Sequence, residues 1–368
     1  MILKSSLRLA FATFTLLTAA AINAPHADAS NPSAKKTSQN KPAAISTEFA
    51  HFTQWKEVAE FTDQMVLRHG FNKTELDTLF DQIRYVETAI QLIKPAPPGK
   101  PKNWKAYRAR FVDNYRIDAG IAFWDQYADA LNRAENQYGV PAEIIVGLIG
   151  VETVFGRNTG NFRVMDALTT LAFAYPDTPT RLARMAFFRT ELENMLLMAR
   201  DSAVDPLSFK GSYAGAIGWS QFMPSSIRSY AVDFDGDGKI DLINSPVDAI
   251  GSVANYLAQH GWKKGLPTVF PATLVANETD PEQLNRVLAQ GLKASYQLEQ
   301  LKTIATTANP DAPDQLSYGL VDLQNGSDAT EYWLATDNFF AITQYNRSYF
   351  YAMSVIDLGK VIATARIK

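Results

Sequence analysis

The chain has 368 residues, with 35 Lys and Arg against 38 Asp and Glu, and this near balance gives no indication of nucleic acid as a partner. The absence of cysteine excludes a disulfide framework and a lipid-acceptor cysteine. A hydrophobic fraction of 46% is ordinary for a globular protein, and the length exceeds what one small core organises, so we expect two or three subdomains.

Residues 1–29 have the pattern of a secretory signal peptide. Lys4 and Arg8 precede a fourteen-residue apolar run, and Ala27-Asp-Ala29 is a small-x-small cleavage signal. The run is too short to span a bilayer comfortably, so we expect cleavage after Ala29, with a retained membrane anchor as the alternative. Residues 30–47 lack a periodic apolar face and are predicted to form a disordered tether.

Helical apolar spacing covers most of the remaining chain. The segments with this spacing are 49–67, 73–93, 118–138, 141–155, 187–199, 246–260 and 347–365. Residues 266–333 instead contain short runs such as Thr268–Phe270 and Tyr318–Leu323, broken by Asn, Gly, Asp and Pro, which indicate strands. The expected fold is therefore mainly α (α+β). We place an N-terminal helical subdomain at 48–135, a catalytic core at 136–264, a small β-containing insertion at 265–335 and a segment completing the core at 336–368.

Glu152 stands beside the apolar stripe of the helix predicted from Pro141 to Phe155. Three apolar residues share its helix face: Ile145, Leu148 and Ile149. Partial desolvation at such a position disfavours the carboxylate and raises the pKa, as a general acid near neutral pH requires. On helix position alone, a salt bridge or hydrogen bond to Arg157 or Arg163 remains the alternative.

A glycine-rich segment, Gly211-Ser-Tyr-Ala-Gly-Ala-Ile-Gly-Trp-Ser-Gln-Phe-Met-Pro224, follows downstream. Its glycines are spaced by four and three, which lets a turn approach another backbone or a sugar closely, although this spacing alone is a weak signal. Together with Glu152 it resembles the catalytic signature of the goose-type lysozyme and lytic transglycosylase superfamily. Four segments extend the resemblance to the lytic murein transglycosylase B family, over about residues 48–365: 140–153, 197–201, 210–226 and 246–256.

The resemblance implies a lysozyme-like catalytic core with Glu152 as the single catalytic acid and base. It also implies that a set of residues binds the substrate: Tyr107, Arg184, Ser212, Gln221, Phe222, Met223, Tyr256, Tyr345, Asn346 and Tyr351. In this set Ser212 and Gln221 would hold N-acetylated sugars, and Arg184 would contact the stem peptide. The sequence departs from the family near Arg184, where extra residues follow Tyr175-Pro176. Without the family, the tyrosines at 345–351 also fit core and rim positions.

The family resemblance further implies a mechanism. Glu152 protonates the oxygen between N-acetylmuramic acid and N-acetylglucosamine, then accepts the proton of the muramic C6 hydroxyl as a 1,6-anhydro ring closes. An internal nucleophile removes the need for a second carboxylate, and no cofactor is expected for catalysis. The alternatives are a muramidase-type hydrolase, which would need a second carboxylate, and a catalytically silent glycan-binding scaffold.

Residues 233–248 resemble an EF-hand loop, with acidic residues at positions 1, 3 and 5 and glycine at position 6. Position 12 is Asn244, and the resemblance implies that Asp248 closes the site instead, with Lys239 offering only its carbonyl. The predicted ligands are Asp233, Asp235, Asp237, Lys239 and Asp248. We expect a structural calcium or sodium ion, with a metal-free Asp-Gly turn as the alternative.

The expected partners are peptidoglycan glycan strands, with neither nucleic acid nor a membrane anchor. The family's namesake is a lipoprotein, and this cysteine-free chain would correspond to a soluble periplasmic member. Lys35, Lys36 and Lys41 make the segment 30–47 basic, which motivates the hypothesis that other cell-wall enzymes bind there.

Overall fold

The computed structural model describes residues 52–95, 99, 101–275 and 280–367. The predicted signal peptide at 1–29 and the predicted tether at 30–47 lie outside the described residues. Helices dominate the described part of the chain, with one five-stranded sheet and one two-stranded pair. None of the described helices combines the length and the apolar character needed to cross a membrane. The mainly α fold with a small sheet is confirmed.

Six helices precede the segment that contains Glu152. They are α1 (Lys56–His69), α2 (Lys73–Phe80), α3 (Glu87–Ile93), α4 (Trp104–Arg108), α5 (Asn114–Gln126) and α6 (Ala128–Tyr138). Several begin at side chains that accept backbone N–H groups, for example Asn72 at α2 and Asp113 at α5. Glycines in the left-handed conformation, Gly70 and Gly139, end α1 and α6.

Two segments with continuous helical spacing are each divided into two helices. Between α2 and α3, the N–H of Arg84 donates to Asp166 Oδ1 and that of Val86 donates to Thr170 Oγ1, at 3.0 and 3.1 Å. These N–H groups are therefore satisfied by a neighbouring helix. Between α5 and α6 the backbone leaves the helical conformation at Tyr127. Apolar periodicity does not report such breaks, because the helical spacing of apolar residues continues through them.

The central helix, α7 (Ala142–Thr153), lies in the largest hydrophobic cluster of the described residues. All its residues are buried except Glu143 and Glu152, which keep partial exposure. A helix that is apolar all round belongs in a protein interior, so a carboxyl group there is exceptional. The last helix, α15 (Tyr349–Arg366), packs tightly along α7. A Cβ atom at Gly147 would lie 2.1 Å from the carbonyl oxygen of Val355, so glycine is what permits this close approach.

The remaining helices belong to three hydrophobic clusters: two formed mainly by helices, of which the first contains α7, and a third shared with the sheet. These helices are α8 (Val164–Phe173), α9 (Arg181–Asp201), α10 (Pro224–Tyr230), α11 (Pro246–Gln259), α12 (Pro281–Leu288), α13 (Leu298–Leu301) and α14 (Asp337–Tyr345). Apolar residues of α4–α7, α11, α14 and α15 form the first cluster, and those of α1–α3, α8 and α9 form the second. The glycine-rich segment lies at their junction, since Phe222 packs in the first cluster and Met223 in the second.

The strands between residues 269 and 335 are β3 (Val269–Leu274), β4 (Tyr296–Gln297), β5 (Ala305–Thr306), β6 (Ser317–Asn325) and β7 (Asp328–Ala335). They form an antiparallel sheet of order β4-β6-β7-β3-β5. The sheet has its own small core, which includes Phe270, Tyr318 and Leu334. A separate pair, β1 (Phe162–Arg163) and β2 (Lys210–Gly211), leads into the glycine-rich segment. The subdomain boundaries remain a prediction.

Candidate active site

Glu152 lies in the last turn of α7, directly before an unusual backbone turn. The chain leaves the helix at Val154, two residues earlier than predicted, and continues through Phe155 to Gly156 with φ values of 53°, 55° and 76°. Left-handed backbone is uncommon for residues other than glycine and is strained for a β-branched valine. Such strain persists only where surrounding contacts hold it, and it frequently accompanies functional sites. This turn ends the helix one residue beyond the carboxyl group.

Glu152 is partly exposed as a residue, but its carboxyl group is surrounded by protein. Tyr351 donates its hydroxyl hydrogen to Glu152 Oε1 at 2.5 Å. Burial raises the pKa of Glu152 to about 7, and the bond from Tyr351 opposes this rise only in part. Near neutral pH the group is therefore shared between its acid and its carboxylate form, as general acid and base catalysis requires.

The alternative of an ion pair at Glu152 is not what the structure shows. Arg163 pairs with Asp166 at 2.6 Å, and the guanidinium of Arg157 lies 5.0 Å from the centre of the Tyr115 ring. Within residues 52–95, 99, 101–275 and 280–367, Glu152 forms no salt bridge. Its charge is thus not neutralised by a cation, and burial dominates its pKa.

Three tyrosines lie close enough to feel the charge of Glu152. Burial first, and the Glu152 carboxylate next, raise the pKa of Tyr345 and of Tyr351 well above the ordinary value of 10. The pKa of Tyr107 rises to about 12 through burial, although nearby Arg110 lowers it. All three phenols therefore stay protonated at neutral pH and can donate hydrogen bonds.

Aromatic side chains continue from this group into a packed cluster. The ring of Tyr345 lies 4.8 Å from that of Tyr256 and 5.6 Å from that of Phe222, measured between centroids. Tyr345 donates to the carbonyl of Ser220 at 2.5 Å, and Tyr256 donates to that of Gln344 at 2.9 Å. These hydroxyls hold backbone, so the rings form a rigid wall.

The glycine-rich segment folds into a tight loop held by its own polar side chains. Ser212 Oγ accepts from the N–H groups of Ala214 and Ala216, which leaves its hydroxyl hydrogen to donate elsewhere. Gln221 has a φ of 50° and donates its amide to the carbonyls of Thr159 and Gly218, both at 3.0 Å. The backbone of the loop is thus held by hydrogen bonds from its own side chains.

The predicted substrate-binding residues divide by exposure. Four of them keep solvent contact, as Glu152 does: Tyr107, Ser212, Gln221 and Tyr345. Six are buried: Arg184, Phe222, Met223, Tyr256, Asn346 and Tyr351. Arg184 is 6% exposed, and its guanidinium lies against the rings of Tyr175, Phe187 and Phe188 in the second cluster. This placement does not support a contact between Arg184 and a stem peptide.

The predicted cation loop brings three carboxylates together. Oxygens of Asp233, Asp235 and Asp248 all lie within 4.8 Å of one another. Convergent carboxylates fit a hard cation such as calcium, and without a cation they would repel. Asp237 is exposed and accepts from the N–H of Lys239 at 2.8 Å, outside the convergent set, so ligation by these two residues remains a prediction. The loop leads directly into α11, which carries Tyr256.

Sequence reasoning overlooked two residues near Glu152 and its tyrosines, Arg110 and Thr153. The guanidinium of Arg110 lies 5.5 Å from the centre of the Tyr107 ring. Thr153, next to Glu152, donates from Oγ1 to the carbonyl of Trp219 at 3.0 Å. A threonine in an otherwise apolar helix was a visible signal, whereas the position of Arg110 depends on tertiary packing.

Comparison with known proteins gives consistent matches along the chain. Residues 52–360 match the family described as the transglycosylase SLT domain. The membrane-bound lytic murein transglycosylase B of Escherichia coli (strain K12) is 44% identical over 318 residues, which cover 84% of this chain and 83% of the relative.

Solved structures agree with the sequence matches. The soluble lytic transglycosylase SltB1 of Pseudomonas aeruginosa superimposes with a TM-score of 0.75 at 46% identity, over 85% of this chain and 100% of that one. The Escherichia coli lytic transglycosylase Slt35 in complex with calcium gives a TM-score of 0.76 at 43% identity, over 87% and 96%. The chain therefore belongs to the lytic murein transglycosylase B family, as its motifs and the acid on its central helix indicate.

Proposed function

We propose that this protein is a lytic transglycosylase. It cleaves the β-1,4 bond between N-acetylmuramic acid and N-acetylglucosamine in peptidoglycan and leaves 1,6-anhydromuramic acid ends. The observation that carries the proposal is the environment of Glu152. Burial raises its pKa to about 7, a tyrosine is its hydrogen-bond partner, and no other carboxylate of the described residues contributes to the shift. A hydrolase that activates water needs a second carboxylate, whereas anhydro-ring formation does not.

The reaction uses Glu152 twice. The neutral acid gives its proton to the glycosidic oxygen as the bond from that oxygen to the muramic C1 breaks, and positive charge develops at C1. The resulting carboxylate accepts the proton of the muramic C6 hydroxyl while O6 bonds to C1. The sugar closes its own ring, no water is consumed, and Glu152 returns to its acid form. The Tyr351 hydroxyl stabilises the carboxylate between the two transfers.

Substrate contact is assigned by exposure. Tyr107 offers an apolar face and a phenol group to the sugars, whereas Tyr345 offers only its ring, because its hydroxyl donates to the carbonyl of Ser220. Ser212 and Gln221 hold the N-acetylated sugars from the glycine-rich loop. The buried residues of the predicted set support these contacts from behind: Phe222, Met223, Tyr256, Asn346 and Tyr351.

Asp233, Asp235 and Asp248 would hold a calcium ion. Bound there, the ion supplies charge neutralisation to the loop before α11 and takes no part in the chemistry. Asp248 already organises this loop, because its carboxylate accepts from the N–H groups of Phe234 and Asp241 at 2.7 and 2.8 Å. A relative in the same family, Slt35, has been solved with calcium.

A murein-cleaving enzyme acts in the cell-wall space. We infer a periplasmic location after signal cleavage, without lipidation, since the sequence contains no cysteine. The hypothesis that other cell-wall enzymes bind residues 30–47 is tested by deleting this segment and comparing co-purifying proteins. An unchanged set of proteins contradicts it.

The function is tested by mass spectrometry of muropeptides released from purified sacculi, with Glu152→Gln as the matched variant. We expect products about one water lighter than those of a lysozyme digest, and none from the variant. Reducing-end products would instead identify a hydrolase. An inactive wild type would favour the glycan-binding scaffold.

A further inference from the structure

One buried hydroxyl links the helix of Glu152 to the glycine-rich loop. Thr153 is 0% exposed. Its Oγ1 donates to the carbonyl oxygen of Trp219 at 3.0 Å and accepts from the N–H of Gly156 at 3.0 Å. It also lies 3.3 Å from the carbonyl of Ile149, one turn earlier in α7. A single atom thus joins the helix, the left-handed turn and the loop.

The turn after Glu152 depends on Thr153 for its hydrogen bonds. Besides the bond to its hydroxyl, the backbone carbonyl of Thr153 accepts from the N–H of Asn158 at 2.9 Å. The intervening Val154 and Phe155 are non-glycine residues with positive φ, a conformation they adopt only when neighbouring contacts impose it. The Thr153 hydroxyl is therefore one of the contacts that end α7 where it ends.

The same hydroxyl also sets the position of the loop. The carbonyl of Trp219 is held by Thr153 from α7, and the next carbonyl, that of Ser220, is held by the Tyr345 hydroxyl from α14. Gln221 and Phe222 follow at once. Two consecutive carbonyls are thus anchored from two helices, α7, which carries Glu152, and α14, which carries Tyr345, so the loop cannot shift relative to both helices without breaking one of these bonds.

We propose that Thr153 is a positioning residue for transglycosylation. Its hydroxyl fixes the Glu152 carboxyl relative to the sugar that the loop holds. The inference rests on the proposed function and on Glu152 as its acid. Because Thr153 is buried, it does not touch the substrate, and the loop retains its own bonds through Ser212 and Gln221. Its loss should therefore lower kcat and leave KM nearly unchanged.

The test compares two buried threonines that differ in hydrogen bonding. Thr153→Val keeps the volume and removes the hydroxyl, and Thr153→Ser restores it. Thr169→Val is the control, because Thr169 on α8 is also 0% exposed and its Oγ1 has no hydrogen-bond partner among the described residues. kcat and KM are measured on solubilised glycan chains, and thermal unfolding is followed for each variant.

We expect Thr153→Val to lower kcat by about 10- to 100-fold, as misplacement of a catalytic group by about 1 Å can do. KM should change less than about twofold, in line with unaltered ground-state binding. Thr153→Ser should recover most of the wild-type kcat, and Thr169→Val should match the wild type. A folded Thr153→Val with wild-type kcat, or a loss expressed only in KM, overturns the inference.

A second variant covers the case in which Thr153→Val does not fold. Thr153→Cys places a weak donor at the same position. Its kcat should be measurable but lower than the kcat of Thr153→Ser and of the wild type. A wild-type kcat in Thr153→Cys overturns the inference. Failure of the proposed function is distinguishable, because the wild type and Thr169→Val would then also release no anhydro products.

Discussion

The hydrogen bond from Tyr351 to Glu152 predicts how activity depends on pH. In the proposed mechanism the acid form of Glu152 is required first, so the wild-type kcat/KM should fall as pH rises through the pKa of Glu152 of about 7. Tyr351→Phe removes a donor to the carboxylate and keeps the ring. A hydrogen bond to a charged group contributes about 1.5–3 kcal/mol, and 1.36 kcal/mol corresponds to one pKa unit. The falling limb should therefore move upward by about one to two pH units.

The assay is kcat/KM on solubilised glycan chains between pH 5 and pH 9.5. Tyr349→Phe is the matched control, because Tyr349 lies two residues earlier on the same helix and donates to the carbonyl of Gly291 rather than to Glu152. Its falling limb should stay near pH 7. A falling limb in Tyr351→Phe that remains near pH 7 refutes the assignment of this limb to Glu152 and its bond from Tyr351.

Three further changes test other parts of the structure. Glu152→Gln should abolish activity and raise the free energy of unfolding at pH 8 by about 1–2 kcal/mol in denaturant titrations. Because the native pKa of Glu152 is raised from 4.5 to about 7, the wild type loses stability as pH rises through this window. The loss is at most about 3 kcal/mol, and the partial exposure of Glu152 makes it smaller. The gain in the free energy of unfolding should vanish at pH 4, and an equal gain at pH 4 would contradict the raised pKa of Glu152. Millimolar calcium should raise Tm by about 5 °C in the wild type and less in Asp235→Asn; identical shifts would place the ion elsewhere. Gly147→Ala should destabilise the fold by about 3 kcal/mol, because its Cβ would meet the Val355 carbonyl 2.1 Å away, and a wild-type Tm would exclude this clash.

Helix prediction succeeded for several segments whose apolar face and ends were local features, but it missed α12, although Asp280 caps it and Pro281 begins it. The segment predicted at 246–260 is α11, Pro246–Gln259, which begins with a serine cap and a proline. The single segment predicted at 73–93 is wrong as one helix. Its break is stabilised by Asp166 and Thr170, more than 80 residues away in sequence. Helix α8 was not predicted, because every one of its residues is buried and no polar face marks its period.

The sequence by itself determined the helical class and the family resemblance and nominated Glu152 as the acid, because an ionisable residue in an apolar helix and a long specific motif are both legible locally. Tertiary structure alone decided the chemistry of that acid. The partner of Glu152 is Tyr351, 199 residues later, and its pKa depends on burial by helices from several parts of the chain. Packing likewise buried Arg184 and brought Asp248 to Asp233. Desolvation and hydrogen bonding act through space, so spacing along the chain could nominate these residues but could not assign their contacts.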